Sequence, residues 1–169
     1  MNSLQYCTVR SINDEDLEEV LSWRNHQSVR QFMFNQHEIT LAEHFEWYER
    51  VRKDSSRRML IVQDRDEPIG FVQFYPVTMG GVADWGFYAR PNAPKGSGYK
   101  LGLAALNYAF KELGLHKVCG QALDSNMASI AFHRKLGFVQ EGVLREQKMI
   151  NEQYCSLVCF GLLAHEWQI

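Results

Sequence analysis

The sequence predicts an α+β fold in one domain over residues 1–169, a central mixed, mostly antiparallel sheet of about seven strands flanked by helices. Three observations carry that expectation. The amino-terminal third repeats apolar residues at helical spacing. Residues 59–88 switch to short β-rich runs broken by tight-turn residues. The remainder alternates helical and strand-like stretches, with a glycine closing each helix.

Taken in order, residues 5–10 form a short strand, and Asn13 is placed to cap a helix in which Leu17, Val20, Leu21 and Arg24 recur on one face. Residues 28–33 make a short helical turn. Thr40 and Glu43 have capping-box spacing, and Leu41, Phe45, Tyr48 and Val51 mark the buried face of a helix ending near Lys53. Residues 59–63, 69–77 and 82–88 read as three strands; the linking segments DRDEP and TMGG are short enough to make them antiparallel. Pro91 and Pro94 then break the chain. KGSG opens a helix carrying Leu101, Ala104, Ala105, Tyr108, Ala109 and Leu113, which stops at Gly114. A strand at 116–123, a helix at 126–136 closed by Gly137, and a strand pair at 138–149 and 154–163 turning at Asn151 and Glu152 complete the order. No repeat or linker interrupts it.

With 46% hydrophobic residues, the chain can close one core. A formal charge of −2 and a pI near 6.3 offer no basic excess for a phosphate backbone, so nucleic acid is not an expected partner. No run approaches the ~18 apolar residues of a membrane span, and the first ten residues lack a basic region followed by an apolar one. The expected setting is therefore cytoplasmic and away from membranes. Cys7, Cys119, Cys155 and Cys159 show neither CxxC spacing nor metal-site clustering, so they are expected as buried thiols, with no metal bound.

The segment that carries chemistry is the Pro-containing loop, KGSG and the helix after it. Successive amides at a glycine-rich turn and a helix start form an anion site suited to a pyrophosphate. Lys95 and Lys100 add positive charge, and Gly96 and Gly98 allow close approach on either side of Ser97. Neither the P-loop pattern nor a dinucleotide fingerprint is present.

About thirty residues after that turn comes N-M-A-S-I-A-F-H-R-K-L-G-F at 126–138, then the strand QEGVLRE. This combination closely resembles the GNAT superfamily of N-acetyltransferases, over most of the chain and in the same element order. The resemblance implies the GNAT fold, acetyl-CoA as co-substrate, and a coenzyme site at Lys95, Gly96, Ser97, Gly98, Tyr99, Lys100, Asn126, Ser129 and His133. It also implies that the acetyl arm lies along residues 82–88, where a backbone amide near Phe87 or Tyr88 polarises the thioester carbonyl. Two positions depart from the family pattern. Lys100 stands where a small residue is usual, and His133 stands where many relatives carry the tyrosine that protonates the departing thiolate. His133 is thus either a general acid or an ordinary partly exposed helix residue.

The run W-R-N-x-x-x-V-R-x-x-M-F-N, followed by H-E-I-T and H-F-x-W, is similar to the subgroup that acetylates the 4-amino group of a UDP-linked amino-dideoxy sugar in pseudaminic acid biosynthesis. For such an acceptor, Arg30, Met33, Phe34, His44, Trp47 and Trp85 offer the aromatic, apolar and cationic surface required. His37 or Glu38 would accept the amine proton. Pairing through the last strands, common in such relatives, implies a homodimer. Ribosomal-protein acetyltransferases share W-R-N-like openings, so a peptide N-terminal acetyltransferase is the alternative. A non-catalytic acyl-CoA-binding module is the third reading.

Overall fold

A computed structural model of the protein describes residues 7–168. The first two residues of the expected amino-terminal strand lie outside the described residues. Seven strands form one sheet: β1 (Cys7–Ser11), β2 (Arg58–Asp64), β3 (Glu67–Tyr75), β4 (Val82–Ala89), β5 (Lys117–Leu123), β6 (Val139–Ile150) and β7 (Gln153–Leu163). Their spatial order is β1-β2-β3-β4-β5-β7-β6, and every neighbouring pair is antiparallel except β4 with β5.

Helices cover both faces. α1 (Leu17–Asn25), α2 (Gln27–Arg30) and α3 (Leu41–Val51) belong to the amino-terminal third, and α4 (Ser97–Lys111) and α5 (Met127–Lys135) to the rest. Apolar periodicity explains the two cores. Leu17, Val20 and Trp23 of α1 and Tyr48 and Val51 of α3 bury against Ile61 and Phe71 on one face. Leu101, Ala105, Leu106 and Ala109 of α4 and Ile130 of α5 bury against Leu60, Val72, Phe74 and Phe160 on the other.

Local chemistry sets the boundaries. Asn13 caps a single 3-10 turn at Asp14–Asp16 that leads into α1, and Asp16 takes a two-pronged bond from Arg10 at 2.7 and 2.8 Å. Thr40 and Glu43 form the expected reciprocal capping box. β3 stops at Tyr75, two residues short of the expected end, because Pro76 has no N–H to give the ladder. Asn151 and Glu152 both take positive φ, 49° and 62°, which is the twist a two-residue hairpin requires.

The feature that positions the site is the β4–β5 pair. These parallel strands are in register only at residues 82–84 with 117–119, although both continue well beyond. Past Asp84 and Cys119 the sheet opens into a V.

Candidate active site

The V is the wall of a cleft of about 950 Å³ lined by β4 from Asp84 to Ala89, the loop and first turn of α4, β5 from Cys119 to Leu123, and the start of α5. Phe32, Met33 and Phe34, from the segment between α2 and α3, close it on the other side. Among the described residues no group of His, Cys, Asp and Glu is arranged to hold a metal ion.

At the coenzyme side, Gly96 takes φ 92°, a left-handed conformation that a Cβ would strain, and begins α4 without any side-chain cap. A Cβ built on Gly96 or Gly98 meets nothing within 4 Å. The helix start is therefore an open cradle, where the first-turn amides and the positive end of a fifteen-residue helix dipole face a free surface. Such a cradle fits a pyrophosphate. Lys95, Gly96, Ser97 and Gly98 line the cleft as expected, as do Asn126 and Ser129 at the start of α5. The Asn126 side chain accepts from the Ser129 amide at 3.1 Å and so caps its own helix.

Three expected coenzyme residues lie elsewhere. The Lys100 ammonium pairs with Asp64 across α4 and β2, which withdraws its charge from the cradle. Tyr99 lies under the Lys135 ammonium, 4.2 Å from the ring centroid, and packs on the core without lining the cleft. His133 is 1% exposed, stacked 4.7 Å from Phe160 and set edge-on to Trp85 and Phe138.

The surroundings of His133 decide its proton. The Trp85 indole N–H can only donate, and it lies 3.1 Å from His133 Nε2. Nε2 must therefore carry the lone pair, and Nδ1 carries the hydrogen, which it donates to the Ser129 carbonyl at 2.8 Å. Burial further lowers the imidazole pKa. The general-acid expectation does not survive this geometry: the ring is neutral, both nitrogens are engaged, and neither faces the cleft. Gly120 makes the arrangement possible, since a Cβ there would fall 2.4 Å from His133 Nε2 and 2.7 Å from Trp85 Nε1.

β4 presents two faces. Trp85 and Phe87 pack with the α4 and α5 core, whereas Tyr88 packs with the α1 and α3 core and stacks 5.2 Å from Phe71. By alternation Asp84 and Gly86 share the Tyr88 face. Their register partners on β3 are Tyr75 and Gln73. Asp84 thus stands at the point of the V on the Tyr88 face, open to the cleft, and partial desolvation by the cleft walls raises its carboxyl pKa above the ordinary carboxylate value. Cys119, its partner on β5, also lines the cleft, but burial pushes its thiol pKa up and keeps it protonated. Burial lifts the Tyr88 phenol well above its ordinary value too.

Of the expected acceptor residues, Met33, Phe34 and Trp85 line the cleft. Arg30, His44 and Trp47 do not. The Arg30 guanidinium is held by Glu38 at 3.0 Å, His44 is buried and stacked on Trp47 at 5.2 Å, and Trp47 packs edge-on against Phe71. The two expected bases are likewise occupied outside the cleft: Glu38 by Arg30, and His37 by Glu43 at 3.2 Å. The sequence reading passed over Asp84, Gln73, Tyr75, Arg57 and Phe32, all of which line the cleft. Alternation along VADWGFY separates Asp84 from Trp85 and Phe87, and that was the available clue.

Known proteins share this architecture. A family model described as an acetyltransferase (GNAT) domain matches residues 7–139. The acetyltransferase PseH of Campylobacter jejuni is 28% identical over 127 residues, covering 75% of this chain and 79% of that protein. The spermidine N(1)-acetyltransferase of Escherichia coli is 27% identical over 169 residues, covering 99% of this chain and 91% of that one. Among solved structures, spermidine N-acetyltransferase from Vibrio cholerae in complex with CoA and spermine matches with a TM-score of 0.86 and 25% identity, over 95% of this chain and 97% of that one.

Proposed function

Because the chain belongs to the GNAT acetyltransferase family, and so is an acetyl-CoA-dependent N-acetyltransferase, we propose that its acceptor is an anionic, ring-bearing amine, a UDP-linked amino-dideoxy sugar of the kind used in pseudaminic acid biosynthesis. One observation carries this reading over a polyamine acceptor. Arg57, Arg90 and Lys95 line the cleft wall, with Asp84 as the sole carboxylate among the described residues that line it; Asp54 at 4.0 Å from Arg57 and Glu67 at 3.6 Å from Arg90 stand outside that lining and offset part of the positive charge without reversing its sign. A polycation calls for the opposite balance.

The apolar lining agrees. Phe32, Met33, Phe34 and Tyr75 give flat surfaces for a nucleobase and a methyl-bearing sugar. The Arg57 guanidinium sits 4.1 Å from the Tyr75 ring centroid, and the Lys148 ammonium 5.8 Å from that of Phe34. Tyr75 and Phe34 therefore each have a cation beside them, the pairing a nucleoside diphosphate needs. The longer amino-terminal run W-R-N-x-x-x-V-R-x-x-M-F-N with H-E-I-T and H-F-x-W supports the same reading.

The reaction follows from placement. The neutral amine attacks the thioester carbonyl carbon; the C–N bond forms as the C–S bond breaks, and sulfur leaves as a thiolate that takes its proton from solvent. Asp84 accepts the proton shed by nitrogen, a task helped by its raised pKa. The β4 backbone at Phe87 and Tyr88 stabilises the carbonyl oxygen as negative charge develops. Acetyl-CoA binds with its pyrophosphate on the α4 cradle, with Asn126 and Ser129 flanking the thiol.

The test is thiol release from acetyl-CoA with a panel of amines: a UDP-linked 4-amino sugar, spermidine and short peptides. Turnover is expected with the nucleotide sugar and competitive inhibition by UDP. Preferred turnover of spermidine or of a peptide amino terminus would overturn the acceptor assignment.

A further inference from the structure

The W-R-N run that ends α1 takes no part in the chemistry above, yet two of its three side chains leave the helix for the segment joining α2 to α3. Trp23 is buried in the core and fixes the helix end. Asn25 clasps Ile39 with both ends of its amide: Nδ2 donates to the Ile39 carbonyl at 2.7 Å, and Oδ1 accepts from the Ile39 N–H at 2.9 Å. Arg24 Nη2 donates to the carbonyl of Asn35 at 2.6 Å.

The segment so held, residues 31–39, has no helix or strand of its own and carries Phe32, Met33 and Phe34 into the cleft wall. It is tied internally by Gln36 Nε2 to the Gln31 carbonyl at 2.7 Å. From the β6–β7 turn Asn151 Nδ2 reaches Gln36 Oε1 at 3.4 Å. Phe34 nevertheless stays 42% exposed, so the wall is held from behind and left open in front.

We propose that Arg24 and Asn25 are positioning residues that set the acceptor wall, and that they govern acceptor affinity without affecting coenzyme binding. An irregular segment of this length keeps one conformation only where its backbone groups are satisfied. An amide side chain is suited to that task, because it offers a donor and an acceptor in one plane and so copies the pairing of a neighbouring strand. Aspartate can take the Ile39 N–H but cannot serve the carbonyl; leucine fills the space and serves neither. Arg24 adds charge to the same wall. Its Nη1 is buried without a hydrogen-bond partner, and among the described residues no carboxylate pairs with it, which leaves a positive charge at Asn35, the residue after Phe34. That sign suits an anionic acceptor.

The inference rests on the reading that the amine enters against Phe32 and Phe34, whatever its identity. Asn25→Leu and Asn25→Asp are compared with the unaltered protein, using whichever panel amine turns over fastest. The readouts are acceptor KM, kcat, the Kd for coenzyme A by calorimetry, and Tm. Asn25→Leu is expected to raise acceptor KM by about tenfold or more with the coenzyme Kd within about twofold, and Asn25→Asp is expected to fall between. An acceptor KM within about twofold of the unaltered protein, or a coenzyme Kd that rises by the same factor, overturns the proposal. If Asn25→Leu does not fold, Arg24→Met, which cuts the Asn35 bond, is scored by the same criteria. Fastest turnover of spermidine would defeat the nucleotide-sugar reading and still let the Asn25 variants be judged on spermidine.

Discussion

The indole N–H of Trp85 donates to Nε2 of His133 at 3.1 Å, and this single bond determines what the histidine can do. A protonated imidazole would point its own N–H at the indole N–H, two donors with no acceptor between them. The ring stays neutral and acts as packing with a polar rim.

His133→Phe should therefore lower stability more than it lowers turnover. The substitution leaves the buried Trp85 N–H without its acceptor and removes the side-chain donor to the Ser129 carbonyl, a loss of about 1–3 kcal/mol. Denaturant unfolding measures that term, and kcat is expected to fall less than about tenfold. A drop of about a thousandfold in kcat with Tm unchanged would restore the general-acid role.

Stability should also fall with acid in a defined window. Burial holds the His133 and His44 pKa values below the ordinary 6.5, so the unfolded chain binds protons there that the folded chain refuses. The stabilisation is complete above pH 6.5 and declines as pH falls below it toward the folded-state values. Tm measured between about pH 8 and pH 5 reads the decline, and His133→Phe should shallow it.

Asp84→Asn should cut kcat by about a hundredfold or more and leave the coenzyme Kd unchanged. In the unaltered enzyme, activity falls as pH drops through the Asp84 pKa, which burial places above the ordinary 3.8. The variant should lose that limb of the pH–rate profile. A variant with normal kcat would assign the proton to solvent instead.

Gly98→Ala separates ligand from protein. The added Cβ has no protein atom within 4 Å and sits in the first turn of α4, so Tm should hold or rise slightly. The same methyl occupies the cradle, and coenzyme affinity measured by calorimetry should weaken. Unchanged affinity would place the pyrophosphate elsewhere.

Gly120→Ala should be far more costly, at about 1–3 kcal/mol or more. Its Cβ would land on the His133 and Trp85 nitrogens, so thermal unfolding is the direct check.

Much of this was legible in the chain, wherever one residue and its near neighbours settle the matter. Thr40 with Glu43, Asn126 with Ser129, the hairpin turn at Asn151 and Glu152, and the glycine cradle before α4 all depend on contacts a few residues apart. The acceptor side depends instead on which strand face meets which helix. Arg30 and His44 carry the right chemistry, yet a local carboxylate takes the first and burial against Trp47 the second.

The sequence by itself determined the element order, the helix caps, the glycine turn that opens α4 and the family, because periodicity, capping and glycine geometry act over short stretches of chain. Only the tertiary structure decided that His133 is neutral, that Asp84 stands at the point of the V, and that Arg24 and Asn25 hold the segment between α2 and α3. Each of these rests on contacts between residues distant in sequence. Hydrogen-bond direction and desolvation are set by the groups that surround a side chain once the chain has folded.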